Sequence, residues 1–128
     1  MYIIEYMSQF ISLHLKENNR IIGVDINTII CATVTGDDIK TGIVYFNNEE
    51  HNPTEINERP YAIRNKIGDT QKSVLLHTAS GNDILIMSNI VTIVEDTDQG
   101  TFIHLDDNEF APIHVAESAT KVIDALNA

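Results

Sequence analysis

The strongest constraint on the fold is a similarity between two stretches of the same chain. Residues 43–68 align without a gap on residues 102–127, at a separation of 59 positions. The apolar positions agree, and three residues are identical: Glu50 with Glu109, Pro53 with Pro112, and Glu58 with Glu117. Repeated units bury a face against each other. The alignment therefore predicts a single compact domain, residues 1–128, made of one repeat at 10–68 and a second at 74–127.

The match continues upstream with altered spacing. Leu13-His14 aligns with Leu76-His77, and residues 26–30 (INTII) align with residues 90–94 (IVTIV). The separation is 64 positions in that last block and falls to 59 afterwards. We therefore expect a loop about five residues longer in the first repeat, with TVTGDDIKTG supplying the length.

Each repeat has the pattern of an antiparallel β-meander of about three or four strands followed by a short helix. The excess of Ile, Val and Leu over aromatic residues also favours strands. The predicted fold class is α+β, mostly β, with two tandem pseudo-symmetric units. Strands are expected near residues 10–15, 21–24, 26–34 and 43–46, and again near 74–78, 84–87, 90–95 and 102–105.

Local signals place the ends of the units. A proline is costly inside a sheet, so the arms that contain Pro53 and Pro112 are expected to be edge strands or bulged strands. Ser118 is the expected N-cap of the second helix, and Pro60 suits the first turn of the first helix. The apolar stripes are predicted at Ile63 and Ile67, with Gly68 as the stop, and at Val122, Ile123 and Leu126.

The charge is strongly negative and uneven. The formal net charge is −11, of which residues 1–73 carry −3 and residues 74–128 carry −8. The second half would repel a phosphate backbone, so direct nucleic-acid binding is not expected. Three interpretations of the acidity remain open: it keeps the chain soluble, it matches a basic partner surface, or it imitates nucleic acid.

Cysteine use and hydropathy bound the compartment. The single cysteine, Cys31, lies in an apolar run and is expected to be a buried, inert thiol. The N-terminal stretch has no basic region typical of a secretory signal, and no run approaches about 18 apolar residues. We expect a cytoplasmic protein, or a virion protein if it is phage-encoded. Residues 2–6 are candidates for a further strand or a contact with a neighbouring molecule.

The second repeat resembles small flagellar proteins of the FlbD-like type. The resemblance rests on residues 88–95 (SNIVTIVE), 101–109 (TFIHLDDNE) and 115–126 (VAESATKVIDAL). Asn108 stands where that pattern has glycine, and the first repeat resembles it only through the second. The resemblance implies a fold and supplies no catalytic residues. The strand pattern is also loosely similar to the LytTR DNA-binding module, whose basic contacts this acidic chain lacks.

A search for chemistry predicts no catalytic, cofactor-binding or metal site. His14 and His77 occupy matching positions, which indicates a shared structural role. His104 and His114 flank one hairpin, and a metal site there would need more ligands. Residues 96–100 have D-x-D-x-G spacing but are expected to form a solvated turn. The candidate interaction residues are Asp96, Asp98, Asp106, Asp107 and Glu109.

Two functions follow as hypotheses. The first is a non-catalytic structural or interaction protein, either a homo-oligomer or part of a larger complex, with a phage virion decoration or connector protein as its concrete version. The second is an acidic inhibitor or regulator that binds the basic surface of a nucleic-acid-binding protein, as anti-defence proteins do. A third hypothesis is a small hydrolase or metal enzyme that uses the histidines and the loop carboxylates. Neither of the first two requires a cofactor or a membrane.

Overall fold

The structure, a computed structural model, describes residues 9–35, 38–47, 50, 52–107 and 109–128. Strands dominate and two helices accompany them, which confirms the α+β, mostly β expectation. The first half contains β1 (Phe10–His14), β2 (Ile21–Asp25), β3 (Ile29–Thr35), β4 (Asp38–Phe46), β5 (Thr54–Ile56) and α1 (Pro60–Ile67). The second half contains β6 (Ser73–His77), β7 (Asp83–Met87), β8 (Val91–Thr97), β9 (Gly100–Leu105), β10 (Ile113–Val115) and α2 (Ala119–Asn127).

The strands form three antiparallel sheets. The largest has the order β5-β4-β3-β7-β6, so the first and second halves share it through the pairing of β3 with β7. A two-stranded sheet holds β1 and β2, and a three-stranded sheet has the order β10-β9-β8. The short strands β5 and β10, which directly follow Pro53 and Pro112, lie at sheet edges, as the prolines predicted.

The order of elements in residues 10–67 is the order in residues 73–127, and the registers agree in detail. Gly42 pairs with Ile56 across β4 and β5, and Thr101, 59 positions after Gly42, pairs with Val115 across β9 and β10. The strands β3 and β8 each have seven residues, and their pairings with β4 and β9 shift register after the first residue in both cases.

Two details of the sequence alignment are wrong. A 3-10 turn precedes each of β3 and β8, at Ile26–Thr28 and Ser88–Ile90, so residues 26–30 correspond in position to 88–92 and not to 90–94. The extra length of the first half also lies inside a strand. Thr35 pairs with Asp38 and Val34 with Gly42, so residues 39–41 form a bulge on β4 in place of a longer loop.

Two apolar clusters fill the interior, and each takes residues from both halves. The first cluster is built mainly on the first half and includes Leu85 and Met87 of β7. The second is built mainly on the second half and includes Ile30 and Cys31 of β3. Because β3 and β7 present opposite faces to the two clusters, their pairing ties the two halves into one packed body.

The helices have the predicted ends. Pro60 opens α1 and Gly68, with a φ of +56°, ends it, a conformation that glycine adopts without a steric penalty. The Ser118 side chain accepts a hydrogen bond from the Lys121 backbone N–H at the start of α2. Ile63, Ile67 and Val122 are buried, as expected. The assignment of Ile123 to the buried stripe is wrong: it is 44% exposed, and Ala125 and Leu126 pack on the second cluster instead.

The D-x-D-x-G stretch forms an exposed tight turn between β8 and β9, as expected. Asp96 and Thr97 end β8, Gly100 begins β9 with a φ of +121°, and only Asp98 and Gln99 stand between the strands. The predictions for residues 2–6 and Asn108 fall outside the described residues. Within the described ranges, neither helix has the length and apolar character needed to cross a membrane.

Candidate functional site

The five acidic candidates do not form one site. Asp96 and Asp98 lie at the tip of the β8–β9 hairpin, whereas Asp106, Asp107 and Glu109 follow the opposite end of β9. The six residues of β9 separate the two groups by about 17–20 Å. Asp107 is half-buried and accepts a hydrogen bond from the Glu109 backbone N–H, 2.9 Å away, while the other four are exposed.

Each half holds a half-buried glutamate that joins its first strand to the segment before its helix. In the first glutamate cluster (His14, Glu58 and Lys66), the His14 backbone N–H donates to Glu58 Oε1 over 2.9 Å. His14 Nδ1 lies 2.6 Å from Glu58 Oε2, and Lys66 Nζ lies 3.4 Å from the same oxygen. Partial burial raises the pKa of Glu58, but the hydrogen bonds from His14 and the charge of Lys66 outweigh it, so the pKa lies below its usual value.

Gly42 makes room for this arrangement. A Cβ at position 42 would lie 2.4 Å from the backbone oxygen of Glu58, closer than any side chain can come. The glycine therefore lets β4 pass directly beside the backbone of Glu58.

The second glutamate cluster (His77, Asp83 and Glu117) repeats the contact. The His77 backbone N–H donates to Glu117 Oε1 over 3.0 Å, and His77 Nδ1 lies 2.7 Å from Glu117 Oε2. Burial raises the pKa of Glu117, but its hydrogen bonds from His77 prevail and the pKa is lowered. The hydrogen bond to Glu117, helped by the charges of Glu117 and Asp83, raises the pKa of His77 against a smaller effect of burial. Both clusters thus fasten strands, which supports a structural role for the two histidines.

Two further histidines, His104 and His114, lie on the β8–β9–β10 sheet. His104 Nε2 lies 3.0 Å from Glu95 Oε1, and the His114 ring stacks on Phe102 with centroids 4.5 Å apart. An open depression of about 420 Å³ runs over Glu95, His104 and Phe102. Among the described residues, no group of three or more His, Cys, Asp or Glu side chains is placed to hold a metal ion.

Cys31 is buried, as the sequence predicted. It is 2% exposed within the second apolar cluster, and burial raises its pKa to about 12. A thiol with this pKa is a poor nucleophile at neutral pH, so its contribution is to packing.

The most distinctive surfaces are two strand edges. In the large sheet β3 pairs with β7. The strand of the second half that corresponds to β3 is β8, and the strand of the first half that corresponds to β7 is β2. Within the described part of the chain, β8 and β2 each have a strand on one side only. Beside the free edge of β2 lies an apolar groove of about 460 Å³, here called the β2 groove. It is lined by Leu15, Ile22, Gly23, Val24, Asp25, Thr28, Phe46 and Thr54.

Sequence reasoning missed the glutamate clusters and the β2 groove. The alignment contained the signal for the former, because it equates Glu58 with Glu117 and His14 with His77. The groove left no such signal, since it depends on which strands meet across the molecule. The comparisons with known proteins add no relative: no protein-family model, no curated protein and no solved structure matches the chain. The FlbD-like resemblance of residues 74–126 stays a prediction.

Proposed function

We propose that the chain is a non-catalytic structural protein made of two like units, which works as part of a larger assembly by offering strand edges to other proteins. One observation carries the proposal. The pairing of β3 with β7 joins the two halves, whereas β2 and β8, in the corresponding places, keep one edge without a strand among the described residues.

Exposed strand edges present unpaired N–H and C=O groups that accept a further strand. The exposed apolar side chains lie close to them. Ile21, at the start of β2, is 66% exposed, Ile93 of β8 is 55% exposed, and Phe10, which pairs with Asp25 across β1 and β2, is 62% exposed. Apolar side chains beside a free edge are typical of a surface that another chain covers.

The like-unit part of the proposal draws on the two glutamate clusters and on the shared registers. Unrelated units would have no reason to place a histidine and a glutamate in the same two hydrogen bonds, at 2.9 and 2.6 Å in one half and 3.0 and 2.7 Å in the other. The register shift at the start of both β3 and β8 also supports two like units.

The test compares the size of the protein in two settings. Extract of the native source is fractionated by gel filtration, and the elution of the chain is compared with that of the purified chain at matched concentration. We expect the chain in extract to elute well above the mass of one copy. Elution as a single chain in extract, at native abundance, would contradict the proposal.

A second candidate function is the acidic inhibitor of a basic, nucleic-acid-binding protein. It is favoured by the exposure of Glu95, Asp96, Asp98, Asp106 and Glu109 along one hairpin and its ends. Replacing Asp96, Asp98, Asp106 and Asp107 with Asn should then weaken capture of a basic partner at low salt. Unchanged capture by the quadruple variant would rule this function out.

A further inference from the structure

We propose that the open edge of β8 in one chain pairs with the open edge of β2 in a second copy of the same chain, with Ile93 entering the β2 groove. The pairing is antiparallel, with Ile93 opposite Val24, Val94 opposite Gly23, and Glu95 opposite Ile22. This inference rests on the proposed function and names the partner that one of its edges takes.

The register comes from the junction inside the chain. There, Cys31 pairs with Ile86, Ala32 with Leu85 and Thr33 with Ile84. The strands β3 and β8 begin 62 positions apart, at Ile29 and Val91, and β2 and β7 end 62 positions apart, at Asp25 and Met87. Moving the internal pairs by 62 positions gives the three pairs proposed between chains.

In the proposed pairing, β8 of the second copy fills the β2 groove. Within the chain, Ile30 and Cys31 of β3 enter the cluster beside β7, where they pack with Ile84 and Ile86. The residues 62 positions before Ile84 and Ile86 are Ile22 and Val24, and both line the β2 groove. Nothing in the described part of the chain lies there. The residue 62 positions after Cys31 is Ile93, whose side chain is 55% exposed. One molecule thus carries both the exposed Ile93 side chain and, elsewhere on its surface, an apolar groove that can receive such a side chain.

The charges suit a copy of the same chain. The edge of β8 carries Glu95 and Asp96, and Arg20 immediately precedes β2. In the proposed register Arg20 lies two residues beyond the partner of Glu95, on the same face, which is the diagonal position across neighbouring strands. The edges stay more polar than the internal junction, because Gly23 and Asp25 stand where β7 has Leu85 and Met87. We therefore expect reversible association that depends on concentration.

The geometry is head-to-tail. A chain that uses β8 on one neighbour still offers β2 to another, so growth continues past the dimer unless the rotation closes a ring. Sedimentation velocity of the purified full-length chain over a range of concentrations measures this. We expect the mass to rise above that of two chains.

Two exposed positions block one edge each. Ile93→Lys places a charge on β8, and Gly23→Glu places one on β2, where an added Cβ meets only the Phe10 ring, at 3.8 Å. We expect each variant to be a single chain on its own. Mixed in equal amounts, they should form a two-chain complex and nothing larger, because each supplies the edge that the other lacks. Ile123→Lys, at a 44% exposed isoleucine of α2, is the matched control and should associate like the parent.

Cross-linking tests the register. With Cys31 replaced by Ser, chains carrying Glu95→Cys are mixed with chains carrying Ile22→Cys and oxidised; we expect a covalent dimer. Asp96→Cys points to the opposite face of β8 and should cross-link with Ile22→Cys at least tenfold less.

Several results would overturn the pairing. They are a single chain at every concentration, association that survives Ile93→Lys, association lost only in Gly23→Glu, and no dimer in the mixture of blocked variants that fold. Circular dichroism and thermal melting establish folding for each variant. A purified chain that is monomeric while the extract contains a large assembly would remove the self-pairing and leave the proposed function standing.

Discussion

The two halves of the molecule use one order of elements but differ in how well their parts are covered. Strand β7 is almost wholly buried, with Leu85, Ile86 and Met87 fully shielded, because β3 pairs with it. Strand β2 stands at the same point of the first half, where Ile21 and Gly23 are exposed and only Val24 is buried; Gly23 and Asp25 stand where β7 has Leu85 and Met87. The glutamate clusters differ in the opposite sense, since here the first half is the better covered. Glu58 has a side chain 10% exposed, whereas that of Glu117 is 20% exposed and that of its partner His77 is 53% exposed.

The comparison teaches that position within a unit does not decide burial here. The same strand becomes core or surface according to whether a neighbour from the other half reaches it. The predictions below compare matched residues of the two halves.

The largest effect is expected at β7. Leu85→Ala should lower the free energy of unfolding by about 3 kcal/mol, because it leaves a cavity in the first apolar cluster. Gly23→Ala, at the matching position of β2, should change it by less than about 0.5 kcal/mol. Urea denaturation followed by circular dichroism measures both. Equal effects would show that the burial contrast between β2 and β7 is absent in solution.

Each of the two apolar clusters contains residues from both halves. We therefore expect the parent chain to unfold in a single transition when followed by two different probes. Two separated transitions, with Leu85→Ala moving only the one that reports on the second half, would contradict the interlocked packing.

The glutamate clusters should differ by a smaller amount. Glu58→Ala removes a shielded carboxylate that joins the His14 backbone, the His14 ring and Lys66, so we expect a loss of about 2 kcal/mol. Glu117→Ala should cost about 0.5–1 kcal/mol, because its contacts with His77 are open to water and screened. Thermal melting at pH 7 compares the two variants. A larger loss of stability in Glu117→Ala than in Glu58→Ala would contradict the predicted order of the two glutamate clusters.

The smallest effect is the pH dependence of the second cluster. Since the pKa of His77 is raised on folding, its contribution is complete below the unfolded value of about 6.5 and is lost as the pH rises through the folded pKa. The pKa of Glu117 is lowered, so its contribution is present above about 4.3 and is lost as the pH falls through the folded pKa.

The His77 ring can be followed by NMR titration. In Glu117→Gln we expect the pKa of His77 to fall towards its ordinary value, with no change of fold. A pKa of His77 that is the same in parent and variant would remove Glu117 as the cause of the shift.

Several parts of the fold could be predicted from the sequence because they depend on neighbours along the chain. Ser118 caps α2, Gly68 ends α1, and the prolines at 53 and 112 precede edge strands. The failures concern longer distances. Ile123 has the spacing of a buried residue, but α2 turns Ala125 towards the second cluster instead. The distance between the acidic candidates also needed the structure: the whole of β9 separates Asp96 and Asp98 from the other three.

By itself, the sequence determined two sets of strands with a helix after each, the caps and turns that bound them, and a burial for Cys31 that makes it inert. Hydrogen bonds between near neighbours and the alternation of apolar residues encode these features locally. Only the tertiary structure decided that β3 meets β7, while among the described residues β2 and β8 each have a strand on one side only. That choice depends on strands distant in the sequence arriving side by side, and alternation within one strand carries no information about which partner it will find.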